Sequence, residues 1–264
     1  VALGLDPNER WLCCLPLSHV GGLSILVRAA IYGTAAIVHE RFELGAVLSQ
    51  LSDPDGPTLV SLVPTTLQRL LDSGLREPPR LRWVLLGGGP ISEQLLERAE
   101  GASVAVAASY GMSEACSQIV TRGAPLFCTR VALSESDEIL VRGPTVARQC
   151  QPILSTGDLG RWDAAGELEL VGRSSDLIIS GGENVAPEAV EAVLAQHPAV
   201  ADVAVVGRKD AEWGEVVTAI VVIEDGEVAS AGQLIDFCQP LLSPFQRPKR
   251  IEFRASLGRS SDGK

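Results

Sequence analysis

The sequence lacks the marks of a redox, metal-binding or nucleic-acid-binding protein. Its six cysteines form no CxxC pair, which argues against a zinc site or a disulfide framework and favours reduced thiols. Basic residues form no block, and 33 acidic residues against 22 basic ones give a formal net charge of -11. Because nucleic acids bind to cationic surfaces, we expect no nucleic acid as the main partner.

Long hydrophobic runs are also missing. The most apolar stretch, residues 23–38, is interrupted by Arg28, Tyr32 and Gly33, so it does not resemble a membrane span. Nothing in the sequence resembles a signal peptide. We therefore expect a cytoplasmic protein without a membrane span.

Common catalytic fingerprints do not match either. The glycine-rich segment 85–93 fits neither the dinucleotide pattern GxGxxG nor the phosphate-loop pattern GxxxxGK[ST]. The nucleophile elbow GxSxG fails because Ala115 takes the place of its last glycine. Ser18 and His19 are adjacent, but a lone histidine is more often structural than catalytic, and a Ser–His hydrolase would also need the missing elbow; a hydrolase that uses them is kept as an alternative.

Hydrophobic patterning divides the chain into three regions. Alternating strand-like and helix-like segments in 11–120 predict a mostly parallel sheet covered by helices. Short strands and turns in 117–172 predict a small antiparallel β unit, and the residues beyond it predict a small α+β unit. We therefore expect an α/β protein with a large domain at 1–175 and a small C-terminal domain at 176–264.

Individual elements follow from periodicity and capping residues. The predicted helices are 22–31, 44–51, 65–71, 92–99 with Ser92 as its cap, one opened by Pro187, and 233–241. The predicted strands are 12–15, 35–38, 58–62, 83–86, 104–108, 203–206 and 216–223.

Four residues in LLGGGPISE lie between a strand and a helix: Gly87, Gly88, Gly89 and Pro90. Glycine permits a close approach of the backbone, and a helix N-terminus presents N–H groups to an anion or a purine edge. Because glycine-rich turns are also common as plain connections, this motif alone indicates a ligand only weakly.

The segment SYGMSE carries three chemically useful side chains. Tyr110 offers a flat face for a base, Ser113 a hydroxyl, and Glu114 an oxygen ligand suited to Mg²⁺. The alternative is a solvated turn with a packed tyrosine.

Two later segments combine glycine with charged residues. Asp158 in STGDLG can accept the two hydrogen bonds that a ribose diol offers, although a plain Asx turn is an equal alternative. In GRSSDLIISGGENVAPEAVE, Arg173 can bind phosphate or ribose oxygens, and Gly181 and Gly182 can let a thin ligand pass close to the backbone. Asp176 lies where the character of the chain changes.

Taken in order, PLSHVGG, LLGGGP, SYGMSE, STGDLG, GRSSDLIISGGENVAPEAVE and LGRSSDGK resemble the motifs of the adenylate-forming superfamily. That superfamily contains acyl-CoA synthetases, luciferases and peptide-synthetase adenylation domains. The six motifs extend over essentially the whole chain. Two stretches, WLCCLPLSHVGGLSILVRAAIYG and YGMSEACSQ, are most similar to the o-succinylbenzoate–CoA ligases of menaquinone biosynthesis.

The resemblance implies a two-step reaction with ATP, Mg²⁺ and coenzyme A. A carboxylate attacks the α-phosphorus of ATP and releases pyrophosphate, and the thiol of CoA then displaces AMP from the acyl-adenylate. The implied partners are a small carboxylic acid, ATP and CoA, and self-association into a homo-oligomer is compatible with it. The implied fold is a partial large adenylate-forming domain followed by a small lid domain.

The family's nucleotide-binding roles transfer motif by motif. By resemblance, the adenine site would contain Gly87–Pro90, Tyr110 and Gly111, and Ser113 and Glu114 would lie near the phosphates and Mg²⁺. Asp158 would hold the ribose hydroxyls with help from Arg173.

The remaining roles concern the acid, CoA and catalysis. His19 would gate the acyl pocket beside Ser18, and Arg28 would meet the second carboxylate of a succinylbenzoate. Asp176 would be the hinge between the half-reactions, and Gly181 and Gly182 would border the pantetheine channel. Lys264 would be the lysine that offsets charge on the α-phosphate.

The sequence departs from the family pattern at two places. Ser113 stands where threonine is usual and retains the hydroxyl. The Ser/Thr/Gly-rich phosphate loop that ends in lysine does not occur among the 264 residues, and both ends resemble cuts through a longer protein. We therefore expect this polypeptide to adenylate poorly by itself. A medium-chain or aryl acyl-CoA synthetase, or a non-catalytic AMP- or CoA-binding protein, stays open as an alternative.

Overall fold

The computed structural model describes residues 2–3, 6–210 and 212–257, with the side chain of Ser175 excepted. Its helices are α1 (Val20–Tyr32), α2 (Leu44–Ser52), α3 (Pro64–Asp72), α4 (Glu93–Gly101), α5 (Pro187–Leu194) and α6 (Ala231–Cys238). The strands up to residue 125 are β1 (Arg10–Cys13), β2 (Ala35–Val38), β3 (Leu59–Leu62), β4 (Trp83–Leu86), β5 (Val106–Met112), β6 (Ser117–Thr121) and β7 (Ala124–Pro125). The later strands are β8 (Arg130–Leu133), β9 (Glu138–Arg142), β10 (Leu154–Trp162), β11 (Leu168–Arg173), β12 (Ile178–Ser180), β13 (Glu183–Val185), β14 (Val200–Asp210), β15 (Gly214–Ile223) and β16 (Arg250–Phe253).

The described residues form two compact units. The first comprises the residues up to 134 together with 139–156 and 162–169, and the second comprises 135–138, 157–161 and the residues from 170 onward. This division does not test the domain boundary near residue 176, which stays a prediction.

A seven-stranded sheet forms the centre of the first unit, in the order β2-β1-β3-β4-β5-β6-β7. The first five strands pair in parallel, whereas β6 and β7 add antiparallel pairs. Each parallel crossover passes through one helix, as the alternating apolar segments require. The mostly parallel sheet predicted from the sequence is confirmed, and so is the α/β class.

Side chains alternate between the two faces of this sheet. Leu12, Val60 and Leu86 belong to a cluster that α2, α3 and α4 cover. Trp11 and Leu85 point to the opposite face, where α1 contributes Ile25. The outer side of α1 is apolar and exposed at three positions one turn apart: Leu23, Val27 and Ile31.

Helix α4 begins as its sequence indicates. The Ser92 hydroxyl oxygen accepts a hydrogen bond from the Leu95 N–H at 3.2 Å. This bond satisfies one of the N–H groups that a helix start leaves without a partner, so the predicted cap is confirmed.

Strand β5 is longer than the sequence pattern suggested. The predicted strand 104–108 continues through Ser109 to Met112, because these residues pair with β6 in an antiparallel hairpin. Ser113–Ala115 forms a 3-10 turn at the end of that hairpin. SYGMSE is therefore the last part of a strand and its turn, not a turn alone.

A four-stranded sheet has the order β11-β10-β9-β8, in agreement with the predicted antiparallel β region. Strands β8 and β9 of this sheet pair antiparallel, with Arg130 opposite Arg142. This sheet contains the STGDLG motif in β10, between β9 and β11.

The second unit contains a five-stranded sheet with the path β13-β12-β15-β14, and β16 pairs with β15. Its core includes Val190 and Leu194 of α5, Leu234 of α6, and alternating residues of β14 and β15. The predicted strands 203–206 and 216–223 are present, but the first extends over Val200–Asp210 because both form one long antiparallel ribbon. Sequence patterning missed β16, which is only four residues long.

Among the helices in the described part of the chain, none is long and apolar enough to cross a membrane.

Candidate functional site

The carboxyl ends of the parallel strands gather several predicted site residues at one edge of the first unit. His19 follows β1, the glycines of LLGGGP follow β4, and Ser113 and Glu114 follow β5. Because β1, β3, β4 and β5 run in the same direction, these segments emerge at the same edge. Ligands of open α/β sheets bind outside this edge.

The backbone of Gly87–Gly89 lies beside β5 without side chains to cover it. The Gly87 N–H donates to the Leu62 carbonyl at 3.2 Å, and a Cβ at Gly87 would lie 2.7 Å from the Ser109 carbonyl oxygen. Gly88 has a φ of +80°, which a residue with a side chain rarely adopts. Gly88, Gly89 and Pro90 are exposed. A flat ligand can therefore approach this backbone closely.

Gly111 is required by the hairpin itself. A Cβ at this position would lie 1.6 Å from the Ser117 carbonyl oxygen, where β5 and β6 shift register. Tyr110, one residue earlier, is half-buried and packs against a cluster that includes Ala115 and Ile119. Part of the Tyr110 side chain therefore packs in the hydrophobic core.

Ser113 and Glu114 are exposed on the 3-10 turn. The Glu114 carbonyl accepts the Ala147 N–H at 2.7 Å, which fixes the backbone of the turn. No group of three or more His, Cys, Asp or Glu side chains within the described residues could hold a metal ion. A magnesium ion at Glu114 would therefore take most of its ligands from phosphates and water, as Mg²⁺ commonly does in nucleotide sites.

His19 is the N-cap residue of α1, and both Ser18 and His19 are exposed. A Cβ at Gly22 would lie 2.5 Å from the Pro16 carbonyl oxygen, so this glycine permits the tight entry into α1. The His19 N–H donates to the Pro16 carbonyl at 3.1 Å, and its own carbonyl accepts from Gly22 and Leu23 at the start of α1.

Arg28 lies in the second half of α1. It lines a cavity of about 790 Å³ together with Glu9, Trp11, Thr34 and Leu59, which stand at or before the amino ends of strands. Nine residues of helix separate it from His19, a distance of about 13 Å along the axis. The cavity is also lined by Ala108, which pairs with Leu86 directly before the glycine-rich segment, so it extends from Arg28 toward the carboxyl edge of the sheet.

The Arg28 guanidinium lies against an aromatic ring and leaves one nitrogen without a hydrogen-bond partner. Its carbon lies 5.5 Å from the centre of the Trp11 ring, and Nη1 is buried without a hydrogen-bond partner. Burial lowers the pKa of Arg28 from its ordinary value, and the nearby Tyr32 opposes this shift. The neighbouring Glu9 carboxylate binds Arg82 at 2.5 Å and the Thr58 hydroxyl instead.

The second unit contains the STGDLG aspartate. Asp158 is buried, with 8% of its surface exposed, and its Oδ1 accepts a hydrogen bond from Arg173 Nε at 2.9 Å. Asp176 is exposed in the 3-10 turn Ser174–Asp176 that follows β11. The structure thus brings Asp158 and Arg173 together as one ion pair.

The double glycine is the turn of the β12–β13 hairpin. Gly181 and Gly182 have φ values of +60° and +85°, and a Cβ at Gly181 would lie 2.7 Å from the Trp213 ring. The Gly181 N–H also donates to the Trp213 carbonyl at 2.9 Å. The Lys249 ammonium lies over the same ring. Sequence reasoning missed Trp213 and Lys249, although an isolated tryptophan in a polar loop was an available signal.

Lys264 lies outside the described residues, so its predicted role has no structural counterpart here.

A glycine-rich carboxyl edge of a parallel sheet, with a hydroxyl and a carboxylate beside it, is typical of a nucleotide-binding α/β protein. Family models agree with this class: residues 1–151 match the AMP-binding enzyme family, and residues 189–264 match the AMP-binding enzyme C-terminal domain. The chain belongs to the AMP-binding enzyme family, and the resemblance to adenylate-forming enzymes is confirmed.

Similar curated proteins are named 2-succinylbenzoate–CoA ligase. The one from Bacillus subtilis strain 168 is 38% identical over 295 residues, covering 99% of this chain and 60% of the relative. The one from Listeria innocua is 37% identical over 287 residues, covering 99% and 61% respectively. The chain thus spans about three fifths of the length of the curated relatives it matches.

Solved structures show the same similarity. The o-succinylbenzoate CoA synthetase of Bacillus subtilis in complex with its acyl-adenylate intermediate has a TM-score of 0.91 at 38% identity, with 99% of this chain and 60% of that chain covered. Its complex with ATP and a magnesium ion has a TM-score of 0.90 at 37% identity, with coverage of 99% and 61%. ATP-bound MatB from Rhodopseudomonas palustris has a TM-score of 0.88 at 25% identity, with coverage of 98% and 59%.

Proposed function

We propose that this protein takes part in the ATP-dependent formation of o-succinylbenzoyl-CoA. The observation that carries the proposal is the 38% identity, over 99% of this chain, to a 2-succinylbenzoate–CoA ligase. In the proposed reaction, a carboxylate oxygen of the acid attacks the α-phosphorus of ATP and pyrophosphate leaves. The sulfur of CoA then attacks the acyl carbonyl carbon, the thiol proton is lost, and AMP leaves.

The nucleotide would bind at the glycine-rich edge. Gly87–Pro90 would present bare backbone to the adenine, with Tyr110 and Gly111 beside it. Ser113 and Glu114, which are exposed on a fixed turn, would face the phosphates. A magnesium ion bound there supplies charge neutralisation for the phosphates.

Asp158 would accept hydrogen bonds from the ribose hydroxyls. Its buried carboxylate is already oriented by Arg173, so little conformational freedom is lost when the ribose binds. Asp176 would be the hinge on which the small C-terminal domain turns between the half-reactions, and Lys264 would be the adenylation lysine.

Acid and CoA would use different surfaces. His19 and Ser18 would border the acyl pocket at the carboxyl edge. The double glycine would leave room for the pantetheine arm, and Trp213 with Lys249 would offer an aromatic face and a cation beside it. A cytoplasmic location, no nucleic-acid partner and self-association stay predictions.

The two half-reactions test this proposal separately. We expect the purified protein to accelerate acyl transfer from preformed o-succinylbenzoyl-adenylate to CoA, and to act less well on benzoyl- or octanoyl-adenylate. Chromatographic detection of the thioester measures this rate. Equal rates on all three would favour a general aryl or medium-chain acyl-CoA synthetase, and no acceleration with any of them would contradict the proposal.

A second candidate is nucleotide and CoA binding without turnover, because the 264 residues contain no Ser/Thr/Gly-rich loop that ends in lysine. That loop would hold the β- and γ-phosphates of ATP, which leave as pyrophosphate. The loop is therefore needed only in the first half-reaction. We therefore expect little pyrophosphate release from ATP and o-succinylbenzoate by this polypeptide. Calorimetric binding of AMP and CoA, with neither half-reaction detectable, would favour the second candidate.

A further inference from the structure

Asp158 follows a residue whose backbone departs from regular strand geometry. Gly157 has a φ of +73°, within β10. An ordinary strand residue donates its N–H to a carbonyl of the neighbouring strand, whereas the Gly157 N–H donates to Glu138 Oε1 at 2.8 Å. Glu138 is half-buried at the start of β9.

The other side of Gly157 is held as well. The Ser174 hydroxyl, just after β11, donates to the Gly157 carbonyl at 3.0 Å. This carbonyl belongs to the peptide group that leads into Asp158. Since Glu138 and Ser174 come from opposite neighbours of β10, the backbone at Gly157 is fixed from both sides.

We propose that Glu138, with Ser174, is a positioning residue that fixes Asp158 for the ribose hydroxyls of the nucleotide. The proposal rests on the ribose role proposed for Asp158. A hydrogen bond to a carboxylate is stronger than one to a neutral carbonyl, so Glu138 can hold a glycine that would otherwise move freely. Arg173 then fixes the carboxylate itself through Oδ1, and the three contacts define one direction for Asp158.

A comparison of two nucleotides separates positioning from general stability. AMP carries both ribose hydroxyls, and 2′,3′-dideoxyadenosine monophosphate carries neither. If Glu138 acts only through Asp158, Glu138→Ala will raise the dissociation constant of AMP about tenfold and leave that of the dideoxy nucleotide unchanged. Isothermal titration calorimetry on the full chain measures both constants, and thermal unfolding verifies that each variant is folded.

Three further variants make the test specific. Glu138→Gln retains an oxygen that accepts the Gly157 N–H, so AMP binding should return to within about threefold of the unaltered protein. Ser174→Ala should show a smaller loss for AMP alone. Glu135→Ala removes an exposed carboxylate three residues away and should change neither constant.

Equal losses for both nucleotides, or no loss for AMP in Glu138→Ala, would overturn the positioning role. Asp158→Ala distinguishes this failure from a failure of the proposed function. If Asp158→Ala loses AMP selectively and Glu138→Ala does not, only the positioning role is wrong. If Asp158→Ala also treats the two nucleotides alike, the ribose role is wrong and the positioning role with it.

Discussion

A buried cation is costly unless an anion or a hydrogen-bond acceptor compensates for it. The two arginines of the candidate sites differ in this respect. Arg173 is mostly exposed and bound to Asp158, whereas Arg28 is half-buried and has a buried Nη1 without a hydrogen-bond partner. The ring of Trp11 compensates only part of the cost for Arg28. An anionic ligand group would therefore gain more at Arg28 than at Arg173.

The role of Arg28 can be tested by substrate discrimination. If its guanidinium binds the second carboxylate of o-succinylbenzoate, Arg28→Ala should slow acyl transfer from o-succinylbenzoyl-adenylate at least about tenfold more than from benzoyl-adenylate. Rates of thioester formation with the two adenylates measure the difference. Arg41→Ala, which removes an exposed arginine paired with Glu43, is the matched control. An equal loss of rate with both adenylates would show that Arg28 does not bind the second carboxylate and only packs on Trp11.

Among the elements, the β5–β6 hairpin carries the most sequence-specific constraint. Its strands approach so closely at Gly111 that any side chain would overlap the Ser117 carbonyl. Cys116 and Ser117 also have positive φ values of 53° and 91°, so the hairpin already contains strained backbone. The backbone of this hairpin therefore has little freedom to move away from a larger residue at position 111.

Gly111→Ala should therefore destabilise the protein by at least about 3 kcal/mol, because strand pairing must open to admit the methyl group. Urea unfolding followed by circular dichroism measures the loss. The matched control is Gly45→Ala in α2, where nothing lies within 4 Å of the added Cβ. That change should stabilise by up to about 0.5–1 kcal/mol, since alanine has the higher helix propensity and restricts the unfolded chain more than glycine does. Similar effects of the two substitutions would contradict the steric explanation.

The whole molecule contains separate hydrophobic cores. The cluster below α2, α3 and α4 belongs to the first unit, and the cluster around α5 and α6 belongs to the second; the two share no residue. Leu70 and Leu234 are completely buried in these respective cores. Each core can therefore lose stability without a direct loss of contacts in the other.

Hydrogen exchange of two variants tests this separation. Leu234→Ala should cost about 2–5 kcal/mol and reduce protection in β14 and β15 while β3 and β4 stay protected. Leu70→Ala should give the reverse pattern. Mass spectrometry of peptides from both units provides the measurement. A uniform loss of protection in either variant would show that the two units unfold as one.

Sequence patterns predicted most elements of the fold, because strong local signals coincided. The Ser92 cap, the Pro187 helix start and the glycines after β4 lie where their side chains or backbone freedom demand. The short strand β16 and the extension of β5 to Met112 were missed. Both depend on pairing with a distant strand, which local patterning does not reveal.

The candidate site, like the fold, has features that the sequence predicts and contacts that only the structure shows. Its chemistry, a glycine-rich edge with Ser113 and Glu114 and a later Asp158, is readable from ordered motifs. The pairing of Asp158 with Arg173, and the contact of Trp213 with Gly181, join residues far apart in sequence. No local pattern specifies which distant side chains meet.

The sequence by itself determined the family, the order of the motifs and the α/β class, because residue type and spacing encode local conformation and chemistry. Only the tertiary structure decided that Arg28 lines one cavity with Trp11, Leu59 and Ala108, which come from three different strands. It also decided that Glu138 and Ser174 hold the residue before Asp158. The physical reason is that strand order and helix direction set which residues are neighbours, and these follow from packing of the whole chain.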